Sequence, residues 1–232
     1  EVIWLSNGIV QSVIGELPAL ERIRQTQDVM ILRLLSSLYL EQNLVDDGRI
    51  ARYVYRTKYG RTPLGEQGIY RIYGFKSESC WMTWGEITKP HYNHDDEEKR
   101  AELFFQRIKI LLELGLVNEI PYLCDSDTGE GEPLYPLDGG VGQIARDAAC
   151  AMLSVYKSES EAEQVYDFQQ VIPVPKHMTN AAVMGIYQLR HKPHTKLTGR
   201  WFVESSKQRE EAFTLYRKLY ADATKSTESA PF

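Results

Sequence analysis

The 232-residue chain is long enough for one elaborated domain or two small ones, and its 43% hydrophobic and 25% charged residues are those of an ordinary globular protein. A formal net charge of -5 and a pI near 5.6 exclude a globally basic nucleic-acid coat, so any positive surface has to be local. The longest apolar run, Val29 to Leu40, is interrupted by Arg33, Ser36 and Ser37 and falls short of the roughly 20 residues that a membrane span needs.

Ser6 and Asn7 can cap a helix running towards Leu17, which Pro18 then breaks. From Asp28 to Gln42 the residues Ile31, Leu34, Leu35, Leu38 and Tyr39 share one face at helical spacing, with Asp28 at the start. Asp46-Asp47-Gly48 is a turn, and Arg49 to Tyr59 reads as a short second helix ended by Gly60. Between Arg49 and Lys76 seven basic residues (Arg49, Arg52, Arg56, Lys58, Arg61, Arg71 and Lys76) face a single acid, Glu66, a local charge of +6. Tyrosines at 53, 55, 59, 70 and 73 are interleaved with them. Such a mixture suits phosphate oxygens and stacked bases, and equally a solvated face with tyrosines packed beneath it.

Ile69 to Trp84 alternates as a hairpin with Lys76 to Ser79 at its turn. His91, His94, Asp95 and Asp96 have chemistry that suits zinc or manganese, but no third well-spaced ligand follows. They read as the cap of the next helix, and no metal is expected. Glu98 to Leu114 is that helix, stopped at Gly115 and followed by a strand (LVNEIPYL), an acidic loop (CDSDTGEGE) and a returning strand (PLYPL). Helix, stop, strand, loop, strand is the tail of a winged helix, with the helix as reading element and the loop as wing.

On a helical wheel Phe104, Phe105, Ile108, Leu111 and Leu112 form one apolar arc and Leu103, Ile110 and Leu114 a second, with Arg100 and Arg107 between them. The second arc is a candidate interface for a homodimer or a partner protein, and the two arginines are the helix's phosphate candidates. Asp125, Asp127, Glu130 and Glu132 make the wing acidic, which argues against ordinary wing-to-backbone contact.

Gly140 to Ala145 matches a dinucleotide fingerprint in letters, but Pro133 and Pro136 precede it and no parallel βαβ unit follows, so a helix start is the simpler reading and no cofactor is expected. Ser158 to Glu163 is an acidic connection between two halves. Beyond it Gln170 to Pro175, Ala182 to Arg190 and Arg200 to Glu204 read as strands. Arg190 to Arg200 is then a loop with four fixed positive charges (Arg190, Lys192, Lys196 and Arg200), His191 and His194, and no acid. Flexible cations in a loop suit phosphates, where they release counterions. Ser205 to Ala221 is a closing amphipathic helix with Ala212, Phe213, Tyr216, Leu219 and Tyr220 inward, and 224–232 a disordered tail. The three cysteines, Cys80, Cys124 and Cys150, lie too far apart for a metal motif and read as free thiols of a reducing cytoplasm. The chain opens on Glu1 rather than Met, which leaves room for a preceding segment.

The segments LSNGIVQSVIGELPALERIRQTQDVMILRLLSSLY, FFQRIKILLELGLVNEIPYLCDSD and YQLRHKPHTKLTGRWFVES together resemble an uncharacterised family of bacterial proteins encoded on integrative conjugative elements and genomic islands. The resemblance spans Leu5 to Ser205. Genes of that family typically lie near partitioning, helicase and single-strand-binding genes. It implies a place in the maintenance, replication or transcriptional regulation of a mobile element, and it assigns no site residues.

The expected architecture is therefore α+β: a winged-helix core with an inserted hairpin over 1–157, and a strand, loop, strand and helix extension over 164–223. The expected function is non-enzymatic DNA binding in the cytoplasm, with duplex DNA ahead of single strands. Its contacts would be Arg49, Arg52, Arg56, Lys58, Arg61, Arg71, Arg100, Arg107, Arg190, Lys192, His194, Lys196 and Arg200. The alternative is a module that docks a replication or partition partner. No phosphate-binding loop of the GK[ST] type, activated nucleophile or paired catalytic carboxylate is legible in the sequence.

Overall fold

The computed structural model describes residues 7–11, 16–41, 50, 56–81, 97–127, 131–154, 164–190 and 196–228; within these, the side chains of 56, 78–81, 97, 98, 100, 101, 196–202 and 226–228 are left undescribed. The chain is a mixed α+β protein divided into two compact units, each assembled from several segments. Unit 1 draws on 1–56, 82–119 and 186–202, and unit 2 on 57–81, 120–185 and 203–232. The acidic connection expected to divide the chain, Ser158 to Glu163, lies outside the described residues.

Unit 1 is built on helices. They are α1 (Asn7–Val10), α2 (Ala19–Gln25), α3 (Val29–Leu40) and α4 (Glu97–Glu113). Pro18 starts α2: it sits at the N-cap with φ -54, where its missing N–H costs nothing. Asp28 caps α3, its Oδ1 accepting the Met30 N–H at 2.8 Å. The inward face of α3 is the one its periodicity predicts, with Ile31, Leu34, Leu35, Leu38 and Tyr39 all buried. Phe104, Ile108 and Leu111 of α4 complete the same core. Side chains of this size contribute roughly 1.5–3 kcal/mol each when fully withdrawn from water. Gly115 ends α4 at φ 64, as expected of a left-handed helix stop, and the Leu116 N–H donates to the Leu111 carbonyl at 2.9 Å.

Unit 2 is built on a curled antiparallel sheet of six strands in the order β4-β3-β6-β1-β2-β5. The strands are β1 (Arg56–Gln67), β2 (Tyr70–Trp81), β3 (Val117–Cys124), β4 (Pro133–Pro136), β5 (Gln170–Pro175) and β6 (Ala182–Leu189). The first residues of β3 and the last of β6 belong to unit 1. Helices α5 (Val141–Ser154) and α6 (Lys196–Glu228) and a 3-10 turn at Gln164–Asp167 complete the element list. Val141, Ala145 and Ala148 of α5 and Ala212 and Tyr216 of α6 pack against Tyr73, Phe75, Ile172, Val174 and Val183 of the sheet. Every residue of β6 is buried, as suits a strand covered on both faces.

Both edge strands carry prolines. In β5 the Lys176 N–H donates to the Ile69 carbonyl, so the alternate residues Val174 and Ile172 face β2 and the intervening Pro173 and Pro175 turn their N–H-less nitrogens outward. β4 begins and ends on Pro133 and Pro136. These prolines protect the two edges from pairing with another chain.

Four expectations are corrected. Arg56 to Tyr59 is not helical but opens β1, because the hairpin partner β2 offers this Thr- and Tyr-bearing segment a ladder. The hairpin turns at Gly68 and Ile69, where Gly68 adopts φ 55, and Lys76 to Ser79 lie within β2 instead. The segment 200–204 is not a strand but part of the 33-residue α6, since extending an existing helix needs no new nucleus. The same helix continues through 224–228, held by burial of Ala223 and by the Thr224 hydroxyl donating to the Tyr220 carbonyl at 3.0 Å.

Candidate nucleic-acid interface

Three cations of the first basic stretch, on β1 and β2, turn to the protein itself. Lys58 pairs with Asp127 of the acidic loop at 3.3 Å. Arg61 donates to the carbonyls of Thr179 and Ala181 at 2.8 and 2.9 Å and lies 4.9 Å over the Tyr73 ring. Arg71 donates to Glu66 at 2.6 Å and to the Tyr73 hydroxyl at 3.2 Å. Glu66 also takes Lys176 at 2.7 Å, and the Lys176 and Arg71 hydrogen bonds hold its carboxyl below the usual 4.5. The hydrogen bond from Arg71 to the Tyr73 hydroxyl, and then that to Glu66, raises the Arg71 pKa. The tyrosine and arginine interleaving that suggests stacked bases therefore arises in part from a two-stranded ribbon whose cations and rings stack on one another.

In unit 1, Arg107 donates to Asp28 Oδ2 at 2.7 Å, with its side chain only 17% exposed. One carboxylate thus caps α3 with one oxygen and fixes α4 with the other. A residue outside the expected set plays a matching part: Arg22 Nη2 donates to the Leu114 carbonyl at the end of α4, where a cation also meets the negative end of the helix dipole. Leu103, Ile110 and Leu114 are partly buried and pack against the unit 1 core.

The second basic stretch is placed differently. Arg190 follows β6, its N–H donating to the Leu116 carbonyl at 3.0 Å and its side chain exposed. Its guanidinium passes 3.2 Å from where a Cβ would stand on Gly115, a second reason for glycine there. Lys196 opens α6 and Arg200 lies one turn on, and that first turn holds no acid. Arg56 and Arg100 are placed on β1 and α4 by their backbones. Arg49, Arg52, Lys192 and His194 lie outside the described residues, as do His91, His94, Asp95 and Asp96. Among the described residues no group of three His, Cys, Asp or Glu side chains could hold a metal ion.

The strand, loop and strand expected after Gly115 contain an antiparallel β3-β4 pair in which Leu123 faces Tyr135. Two acids of the connecting segment have partners: Asp125 Oδ1 accepts the Glu132 N–H at 2.8 Å, and Asp127 takes Lys58. The start of α5 is closely packed at Gly142. A Cβ on Gly142 would meet Gln170 Oε1 at 2.6 Å and the Leu137 carbonyl at 2.9 Å, and the preceding β4 is an antiparallel edge strand.

Comparison with protein families, curated proteins and solved structures finds no match to this chain. The class the coordinates define is that of a mixed α+β protein with an antiparallel sheet. No helix among the described residues is long and apolar enough to cross a membrane.

Proposed function

We propose that this chain is a non-enzymatic DNA-binding protein of a bacterial mobile genetic element, acting in its maintenance, replication or transcriptional regulation. The observation that carries the reading is the segment from Arg190 to Arg200. It begins with an exposed arginine and continues to Lys196 and Arg200 one turn apart at the start of a long helix, with no acid between. Cations at a helix N-terminus oppose the helix dipole, so the arrangement favours an anion, and phosphate oxygens accept hydrogen bonds from cations and free backbone N–H groups together. The winged-helix reading rests on the α4, Gly115 and β3-β4 succession, and duplex DNA is the proposed partner.

The test is fluorescence anisotropy with duplex and single-stranded DNA across a salt series. Arg190→Glu and Lys196→Glu should each lower the magnitude of the log-log salt slope by about 1, with duplex bound more tightly than single strand. Absence of binding at low salt, or slopes unmoved by both changes, would sink the reading.

A second reading, a module for self-association or for docking a replication or partition partner, draws on α3 and α4. Val29, Leu32 and Leu40 are 69%, 39% and 53% exposed at helical spacing on α3, and Leu103 and Ile110 of α4 and Leu114 just after it are incompletely covered. Sedimentation of the wild-type chain and of Leu32→Glu distinguishes it: a wild-type monomer at every concentration removes the self-association arm.

A further inference from the structure

Unit 2 contains a cleft of about 770 Å³, within the range of small-molecule sites, that none of the sequence motifs foreshadows. One wall is a face of α5 with Ile144, Asp147, Ala151 and Ser154, and the other a face of α6 with Arg217, Tyr220 and Thr224. Tyr166 of the 3-10 turn stands beside them. Val141, Ala145 and Ala148 share a core with Ala212 and Tyr216, while Met152 and Leu153 share one with Ala223, so the two helices advance in the same sense. Asp147 and Arg217 thus belong to one end of the cleft, and Ala151, Tyr220, Ser154 and Thr224 to the rest.

Asp147 takes the Gln143 side-chain N–H at 2.8 Å, and the Arg217 guanidinium lies 5.3 Å from the Phe213 ring centroid. Among the described residues no ion pair joins Asp147 to Arg217. The hydroxyls at the other end are spent on their own helices, Ser154 donating to the Ala151 carbonyl and Thr224 to that of Tyr220. Two rings remain that burial does not account for, Tyr166 at 74% and Tyr220 at 47% exposure.

We propose that this cleft binds a free α-amino acid as its zwitterion, with carboxylate towards Arg217, ammonium towards Asp147 and an apolar or aromatic side chain against Ala151, Tyr166 and Tyr220. A simple anion, a nucleotide phosphate included, meets the Asp147 carboxylate as well as Arg217, and a simple cation meets the reverse. A molecule with both charges on one carbon satisfies both. Tyrosine and arginine are also the side chains that most often anchor ligands and partners.

The probes are L-phenylalanine, N-acetyl-L-phenylalanine and L-phenylalaninamide, titrated against the full chain by two-dimensional amide NMR. L-phenylalanine should shift resonances of α5 and α6 with a dissociation constant of about 1 mM or tighter, and each capped form should bind about fivefold or more weakly. Asp147→Asn should abolish the preference over the N-acetyl form, and Arg217→Gln the preference over the amide. Both side chains are exposed, so the variants should keep the wild-type circular dichroism. No shifts at about 10 mM, equal binding of the capped forms, or unaltered preferences in folded variants overturns the proposal.

Discussion

The two basic stretches of this chain look alike in sequence and differ in what the fold does with them. In β1 and β2, Lys58, Arg61 and Arg71 are bound by a carboxylate, two carbonyls and a second carboxylate with a tyrosine hydroxyl. In the segment that leaves β6 and enters α6, Arg190 is exposed and Lys196 and Arg200 stand at a helix start free of acids. A local charge of +6 is thus a poor guide to an interface when three of its cations sit on a hairpin whose neighbours supply acceptors. For the proposed function a smaller excess at a strand-to-helix junction is the better candidate, because the first turn of α6 holds no acid and the helix dipole adds to the same sign.

The comparison can be broken most directly at Arg61. Arg61→Ala should cost about 1–3 kcal/mol in denaturant unfolding, because the Thr179 and Ala181 carbonyls lose their donor, and it should leave the salt dependence of DNA binding in place. A changed salt slope at unchanged stability would return Arg61 to the interface. Arg107→Ala should cost about 1–2 kcal/mol by the same measurement, since Asp28 holds the α3 cap and α4 together. Arg190→Ala should move stability by no more than about 0.5 kcal/mol and still weaken DNA binding at low salt.

The smallest effect is the titration of Glu66. Its folded pKa is depressed, so the unfolded chain takes up the proton first; its contribution to stability is present above 4.5 and is lost as the pH falls through the lowered folded value. NMR of the side-chain carboxyl should place the midpoint below 4.5 in the wild-type chain, and Lys176→Ala should raise it. A midpoint unmoved by that change would show that Lys176 does not hold Glu66 in solution.

Legibility followed the range of the forces involved. The α3 face, the Asp28 cap, the Gly115 stop and the strands β3, β5 and β6 could be read because each depends on residues a few positions apart. Arg56 to Tyr59 and residues 200–204 depart from their local preference because a ladder partner in one case and a growing helix in the other outweighs it. The cleft gave no signal at all, since Asp147, Tyr166 and Arg217 lie on three separate elements. The role of Arg22 carries no sequence signal for the same reason: its acceptor, the Leu114 carbonyl, is 92 residues away in the chain.

By itself, the sequence determined the α+β character of this protein, most of its helix and strand starts and stops, and the positions where positive charge is concentrated. Only the tertiary structure decided which of those charges are already neutralised and which carbonyls and carboxylates neutralise them. It also decided that Pro133, Pro136, Pro173 and Pro175 lie on the sheet's two edges. The reason is physical. Periodicity and capping act over a turn or two of chain, whereas an ion pair or a sheet edge depends on which distant segments arrive beside it, and that is settled by burial of the whole core.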